Sequence, residues 1–142
     1  MARKPAREAA MRLLYQRNFS DEYDFNAIDG MMTELVLDDQ DTPYIQDILQ
    51  GFIQHQEEID NIISEKSKGW KFDRISKVDL SILRLALYEI LYRQDIPNSV
   101  SINEGVELAK KYGSDKSGSF INGILGTYLR LNVNNDTPEL PQ

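Results

Sequence analysis

Three cations within the first seven residues are the side chains of this sequence best suited to holding a phosphate. Arg3, Lys4 and Arg7 stand at the start of a predicted helix, where they occupy about a third of the helical wheel, away from a stripe of alanines. The free amides at a helix N-terminus also favour anions. The cluster therefore predicts contact with a nucleic-acid backbone, and an ordinary solvated helix end is the alternative interpretation.

The turn before the last predicted helix is a second candidate site for phosphate. Lys116, Ser117 and the neighbouring serines supply one cation and several small donors beside a helix N-terminus. A simple capped helix start has the same composition, so both interpretations stay open. Phe120 suits either base stacking or the hydrophobic core, and the same alternatives hold for Tyr15 in the first helix.

Side chains that catalyse reactions or bind metals are scarce in this sequence. There is no cysteine, and the single histidine, His55, lies on a predicted polar helix face. Glu57, Glu58 and Asp60 follow closely on that helix and so point to different sides of it. We therefore expect a protein that is not an enzyme and that holds no metal and no cofactor.

The net charge of −7 is distributed unevenly along the chain. Residues 1–17 carry a balance of +4, residues 18–65 hold thirteen acidic residues and neither Lys nor Arg, and residues 66–142 carry +2. Electrostatic fields decay over a Debye length of about 8 Å in physiological salt. A local basic patch can therefore bind phosphate while the acidic stretch forms a solvated surface elsewhere.

The composition also predicts where the protein works. No apolar run approaches the roughly 20 residues of a membrane span. The N-terminus lacks the apolar core of a secretory signal, and the absence of cysteine suits a reducing compartment. We expect a cytoplasmic protein without a membrane partner.

Helices must position these candidate sites, because apolar residues recur with helical spacing along most of the chain. The predicted helix at 77–93 is apolar on nearly every side, so other helices must enclose it. We predict an all-α domain of two packed helical bundles over residues 1–131, with halves at about 1–68 and 70–131 and a flexible tail at 132–142. The predicted helices, about six to seven in number, include those at about 5–19, 26–37, 42–66, 77–93, 101–112 and 117–131.

Single residues in the first half carry more specific predictions. Val36 is placed on the inward face of the second helix. Thr42 is expected to cap the third helix, with Pro43 at its first position. Gly51 lies inside the third helix, where glycine costs about 1 kcal/mol relative to alanine. A close approach by a neighbouring helix is the expected compensation.

The second half carries predictions of the same kind. Ser76 is expected to cap the central helix. Ser101 and Glu104 have the spacing of a capping box, and Gly113 suits the left-handed residue just past a helix end. Arg84 stands alone among apolar residues, so we expect it to pair inside the protein with a carboxylate or with helix carbonyls.

Several short motifs follow one another in a fixed order along this chain. They are Ala6-Arg7-Glu8-Ala9, Leu14-Tyr15-Gln16, Gly51, Ile82-Leu83-Arg84-Leu85-Ala86-Leu87-Tyr88-Glu89, Ile102-Asn103-Glu104, Glu107-Leu108-Ala109 and Phe120-Ile121-Asn122-Gly123. Their order and spacing closely resemble the NusB family of bacterial transcription antitermination factors. The resemblance covers roughly residues 5 to 130 and is strongest in the second half.

The resemblance implies roles for particular residues. Arg3, Lys4 and Arg7 stand where the family's Arg-rich N-terminus holds the single-stranded boxA segment of nascent RNA. The loop at Lys116 corresponds to a loop that contacts the same RNA, and some relatives carry an acidic residue there, so lysine should favour RNA. Asp79 matches an acidic position on the surface that meets NusE, a basic ribosomal protein. A first-turn interaction with the helix dipole is the alternative role for Asp79.

The resemblance thus implies a non-catalytic adaptor that holds boxA-type RNA and NusE together near RNA polymerase. The implied RNA contacts are Arg3, Lys4, Arg7, Tyr15, Lys116, Ser117 and Phe120, and Asp79 is the implied partner contact, separate from them. One alternative is the RNA-recognition domain that precedes some rRNA cytosine methyltransferases, whose cofactor-binding domain has no counterpart here. Another is a protein–protein adaptor without RNA. The family includes monomers and homodimers, so the oligomeric state stays open.

Overall fold

The structure is a computed structural model, and it describes residues 2–20, 30, 33–67, 69 and 71–133 of the chain. Two of the predicted segments fall largely outside these residues. They are the helix predicted at about 26–37, of which only the end is described, and the tail predicted at 132–142.

The described residues form five α-helices and no strand, which confirms the predicted all-α fold. The helices are α1 (Lys4–Arg17), α2 (Thr42–Lys66), α3 (Lys77–Tyr92), α4 (Asn98–Tyr112) and α5 (Ser117–Tyr128). A 3₁₀ turn, Phe72–Arg74, leads into α3, and a π-helical stretch, Leu129–Val133, follows α5. This helix count is slightly below the six to seven predicted.

Helix α3 lies at the centre of the bundle and packs against α1, α2, α4 and α5. Every residue from position 80 to 89 is buried, so the helix is enclosed on all sides, as its apolar sequence predicts. Its first turn is capped by Ser76, whose hydroxyl accepts a hydrogen bond of 3.1 Å from the amide of Asp79. The cap predicted for the central helix is therefore confirmed.

Arg84 lies within this buried helix and pairs inside the protein, as predicted. Its guanidinium donates two hydrogen bonds, of 2.9 and 2.8 Å, to the carboxylate of Asp60 on α2. A third bond of 3.2 Å reaches the side-chain oxygen of Asn18, just beyond α1. Arg84 thus connects three helices, and the paired charge offsets the cost of its burial.

Two predictions for the first half are wrong. Val36 is 73% exposed and has a φ of +55°, so it does not face inward, and no right-handed helix runs through this position. The cap of α2 is Asp41 rather than Thr42, and Thr42 and Pro43 are the first two helical residues. Proline's fixed φ suits either of these first positions, which explains the error of one residue.

The capping box predicted for the second half is also wrong. Helix α4 begins at Asn98, directly after Pro97, whose φ of −59° and ψ of 142° start the helix earlier than predicted. Ser101 lies inside the helix, where it is 2% exposed. Gly113 has a φ of −99°, so it is not left-handed. A Cβ at Gly113 would lie 2.4 Å from the hydroxyl of Ser117, and this close approach accounts for the glycine.

The glycine inside α2 lies against a neighbouring helix, as predicted. A Cβ built on Gly51 would lie 2.2 Å from the ring of Tyr88 on α3, far inside van der Waals contact. The ring cannot move freely, because Tyr88 is buried and its hydroxyl donates a hydrogen bond of 2.9 Å to Asp47. Glycine at this position therefore permits the close packing of α2 on α3.

We expect Gly51→Ala to lower the free energy of unfolding by about 1–3 kcal/mol, because an overpacked core must shift side chains to relieve the overlap. Gly123→Ala is the matched control, since no atom of a neighbouring element lies within 4 Å of its added Cβ. The control should gain about 0.5–1 kcal/mol from reduced chain entropy. Urea denaturation measures the free energy of unfolding of both variants. Equal values for Gly51→Ala and Gly123→Ala would show that the Tyr88 ring moves aside without cost.

Candidate nucleic-acid interface

The N-terminal cations do not form an unpaired basic patch in the folded protein. Arg3 lies 2.9 Å from carboxylate oxygens of both Asp38 and Asp41. The ammonium of Lys4 lies 2.9 Å from the carboxylate of Glu104 on α4, although its side chain is still 71% exposed. Each of these two cations is therefore already neutralised by a carboxylate of the same chain.

Arg7 is buried, although its position away from the alanine stripe on the helical wheel suggested an exposed cation. Its side chain is 4% exposed, and its guanidinium donates hydrogen bonds of 2.9 and 3.1 Å to the carboxylate of Glu89. Tyr44 and Ser101 donate to the same carboxylate, which is itself 1% exposed. This network joins α1, α2, α3 and α4, so the direct role of Arg7 in this structure is packing.

Asp79 and the predicted RNA loop line the same groove, of about 230 Å³, although the sequence suggested two separate sites. Lys116, Ser117 and Phe120 form one wall. Arg74, Ile75 and Asp79 form the opposite wall, where the 3₁₀ turn meets the start of α3. We call this the Asp79 groove. A change to the charge of either wall therefore acts on both candidate functions.

The charged groups of the Asp79 groove lack partners within the part of the chain that the structure describes. Neither Arg74 nor Lys116 makes an ion pair there, in contrast to Arg3 and Lys4. The Oδ1 atom of Asp79 is buried and accepts no hydrogen bond from the described residues. Such an atom is unusual, since buried polar atoms nearly always have a partner.

Ser117 and Phe120, both predicted RNA contacts, differ in how far their side chains are available to a ligand. Ser117 is 2% exposed, and its hydroxyl accepts a hydrogen bond of 3.0 Å from the amide of Ser114. Ser117 thus shapes the loop instead of presenting its hydroxyl to a ligand. Phe120 is partly buried, packs against the core and still lines the groove, so it contributes to both surfaces.

Tyr15 lies in a second groove, of about 670 Å³, near the other end of α1. Tyr15 is 37% exposed. The other residues that line this groove are Met11, Arg12, Gln16, Gly30, Glu34, Val78 and Tyr112. The guanidinium carbon of Arg12 lies 5.6 Å from the centre of the Tyr112 ring, within the range of a cation–π contact. Arg12 is itself paired with the carboxylate of Glu34 at 2.9 Å, so the aromatic rings are the groups of this groove best suited to an unpaired nucleobase.

The carboxylate of Glu8 fixes the position of Tyr112. The Tyr112 hydroxyl donates a hydrogen bond of 2.9 Å to Glu8, and the Lys111 ammonium lies 2.5 Å from the same oxygen. Partial burial acts to raise the pKa of Glu8, but these two hydrogen bonds outweigh it and hold the pKa below its usual range. The carboxylate therefore stays charged and keeps Tyr112 oriented against α1.

Other kinds of site receive no support from the described residues. Their His, Asp and Glu side chains form no group of three that could hold a metal ion. None of the described helices combines the length and the apolar composition that crossing a membrane requires.

Comparison with known proteins gives the family. The model of the NusB family matches residues 4–130. The chain belongs to the NusB family. It is 49% identical to the transcription antitermination protein NusB of Acetivibrio thermocellus over 133 residues, which cover 94% of this chain and 92% of that protein.

Solved structures of NusB proteins have the same fold. A structure of T. maritima NusB is 32% identical, with a TM-score of 0.79, and the match covers 99% of this chain and 100% of that one. A crystal structure of the antitermination factors NusB and NusE in complex with double-stranded RNA contains a chain that is 26% identical. Its TM-score is 0.78, and the match covers 90% of this chain and 96% of that one.

Three residues of this NusB-family chain that line the two grooves were missed by the sequence reasoning. Arg12 stands three positions before Tyr15 on one helix face, a spacing that could have pointed to it. Tyr112 reaches the same groove from a helix distant in sequence, and no local pattern signals that contact. Arg74 belongs to a three-residue turn without periodicity, so its position beside Asp79 depends wholly on tertiary packing.

Proposed function

We propose that this NusB-family protein is a non-catalytic, cytoplasmic adaptor that binds single-stranded boxA-type RNA together with NusE near RNA polymerase. The observation that carries the proposal is the Asp79 groove, where Arg74 and Lys116 are unpaired among the described residues beside the ring of Phe120. Unpaired cations can neutralise phosphates without first breaking an ion pair. Family membership supports RNA and NusE as ligands, because a related chain occurs in a solved complex of NusB, NusE and double-stranded RNA. The preference for a single strand rests on the rings of the groove and not on that complex.

The RNA strand is held by two kinds of contact. Arg74 and Lys116 attract the phosphates, and this attraction weakens as salt rises. Phe120 in the Asp79 groove, and Tyr15 and Tyr112 in the second groove, offer rings on which unpaired bases stack. Single strands are favoured over duplexes, because only unstacked bases can reach these rings.

The three N-terminal cations implied by the family resemblance act indirectly or at a cost. Arg3 and Lys4 reach phosphate only by exchanging their carboxylate partners for it, so their net contribution is small. Arg7 acts by holding the N-terminal end of α1 against α3 and α4. The N-terminus therefore serves mainly to position the surface that contacts RNA.

NusE binds through the acidic side of the Asp79 groove. The carboxylate of Asp79 has an oxygen without a hydrogen bond among the described residues, and a basic ribosomal protein can supply the missing donor. Ile75 and Phe120 flank it with apolar surface, which suits the hydrocarbon part of a lysine or arginine side chain. Both ligands thus meet at one groove.

The proposal is tested by titrating a fluorescently labelled, single-stranded boxA-type RNA with the protein, with and without NusE. We expect binding that weakens with salt and tightens when NusE is present. A scrambled strand and a duplex of the same sequence are the controls, and both should bind more weakly. Binding of NusE without any binding of RNA would instead support a protein–protein adaptor.

A further inference from the structure

Asp79 shares one groove with two cations, Arg74 on its own wall and Lys116 on the opposite wall, and this arrangement connects the two proposed ligands electrostatically. We infer that Asp79 represses RNA binding in the free protein, and that a cation from the basic partner relieves this repression by neutralising the carboxylate. The inference rests on the proposed function, since it concerns the same groove. It assigns to Asp79 a second role, as the residue through which the partner tightens RNA binding.

The condition of the Asp79 carboxylate supports this role. Its Oδ1 atom is buried yet accepts no hydrogen bond from any described residue, although the adjacent amide of Asp79 is satisfied by Ser76. An interaction with the dipole of α3 leaves this oxygen unsatisfied. A guanidinium or ammonium group entering the groove would supply the missing donor and form a charge-assisted hydrogen bond.

The three charged groups of the groove act on one another through the electric field that each produces. Arg74 and Lys116 contribute two positive charges and Asp79 one negative charge, a balance of +1. The carboxylate weakens the pull of both cations on phosphate, and salt screens this effect because Arg74 and Lys116 are exposed. Once a partner cation pairs with Asp79, the residues of the groove present an effective +2.

Thermodynamic linkage then fixes the behaviour of the two ligands. If the partner tightens RNA binding by neutralising Asp79, RNA must tighten partner binding by the same factor. The coupling arises from charge. It therefore decreases as the salt concentration rises and the Debye length shortens.

The test replaces Asp79 with neutral residues and measures RNA binding without the partner. Asp79→Asn should tighten binding of the labelled boxA-type RNA by about fivefold at low salt, the lower end of usual couplings. At NusE concentrations that saturate each protein, NusE should tighten RNA binding less in this variant than in the parent. The difference should be the same factor, about fivefold. Lys116→Gln should weaken RNA binding and shrink the effect of Asp79→Asn in the double variant.

Controls separate this inference from the proposed function. Glu57→Gln removes a negative charge from an exposed position on α2 and should leave RNA affinity unchanged. If circular dichroism shows that the asparagine variant is unfolded, Asp79→Ser replaces it as the neutral variant in the RNA titration. Unchanged or weaker binary RNA binding in a folded, neutral Asp79 variant would overturn the inference while the proposed function stands. Absence of RNA binding by the parent protein, with and without NusE, would overturn both.

Discussion

Replacing Arg7 with methionine is expected to lower the free energy of unfolding by about 3–5 kcal/mol, because the change leaves a buried carboxylate without its cation. Glu89 is 1% exposed and receives two hydrogen bonds from Arg7. Methionine fills similar space but can neutralise nothing. Urea denaturation, followed by circular dichroism, measures the loss.

Two further variants show whether the buried charge is the cause. Combining Arg7→Met with Glu89→Gln should recover most of the lost stability, since the glutamine carries no charge. Its amide oxygen can accept a hydrogen bond from one of the Tyr44 and Ser101 hydroxyls, and its NH₂ group can donate to the other. Lys4→Met breaks an exposed pair and should cost less than about 1 kcal/mol. A stable Arg7→Met variant with weakened RNA binding would return Arg7 to the role of direct RNA contact.

The error over Arg7 shows what a helical wheel leaves out. The wheel correctly separates Arg7 from the alanine stripe, but it contains no information about what packs on the remaining sides of α1. Glu89, whose carboxylate pairs with Arg7, lies 82 positions away in the sequence. Glu104, the partner of Lys4, lies 100 positions away. Neither acid carries a local sequence signal for these pairings, so the sequence alone suggested an exposed basic patch.

Predictions from short sequence patterns succeeded where the contact that determines the structure is made between residues close in sequence. The cap of α3 depends on Ser76 and an amide three residues further on, and the prediction was right. The capping box at Ser101 failed because Pro97 starts the helix earlier and a glutamate from another helix accepts the serine's hydrogen bond. The enclosure of α3 was predictable, since an apolar helix has only one stable environment in a water-soluble fold.

The Asp79 groove lies beyond local reasoning for the same physical reason. Asp79, Arg74 and Lys116 come from the start of α3, a short turn and the loop before α5, and only the packing of α3 against α5 brings them together. The sequence did provide two of these three residues, each assigned to a different ligand. Their common groove makes the two assignments interdependent.

Removing Arg74 and Lys116, the groove's two cations that are unpaired among the described residues, is expected to have the largest effect on RNA binding. In the Arg74→Ala and Lys116→Ala double variant, the slope of log affinity against log salt should fall by about 1.4, since each phosphate contact on a single strand contributes about 0.7. The Arg3→Ala and Lys4→Ala double variant removes the same charge and is the matched control. Its slope should fall by less than about 0.7, because both cations are already paired with carboxylates.

Charge reversal at Lys116 extends the same test to the partner. Lys116→Asp should weaken RNA binding by about tenfold or more at low salt, because repulsion replaces attraction at an exposed loop. The same change places a second carboxylate in the Asp79 groove, so binding of the basic partner should tighten instead of staying constant. Calorimetric titration with NusE measures this second effect. The opposite result has two parts: NusE affinity is unchanged in Lys116→Asp, and the salt slope falls more in the Arg3 and Lys4 variant than in the Arg74 and Lys116 variant. It would show that RNA binds at the N-terminus, separately from Asp79.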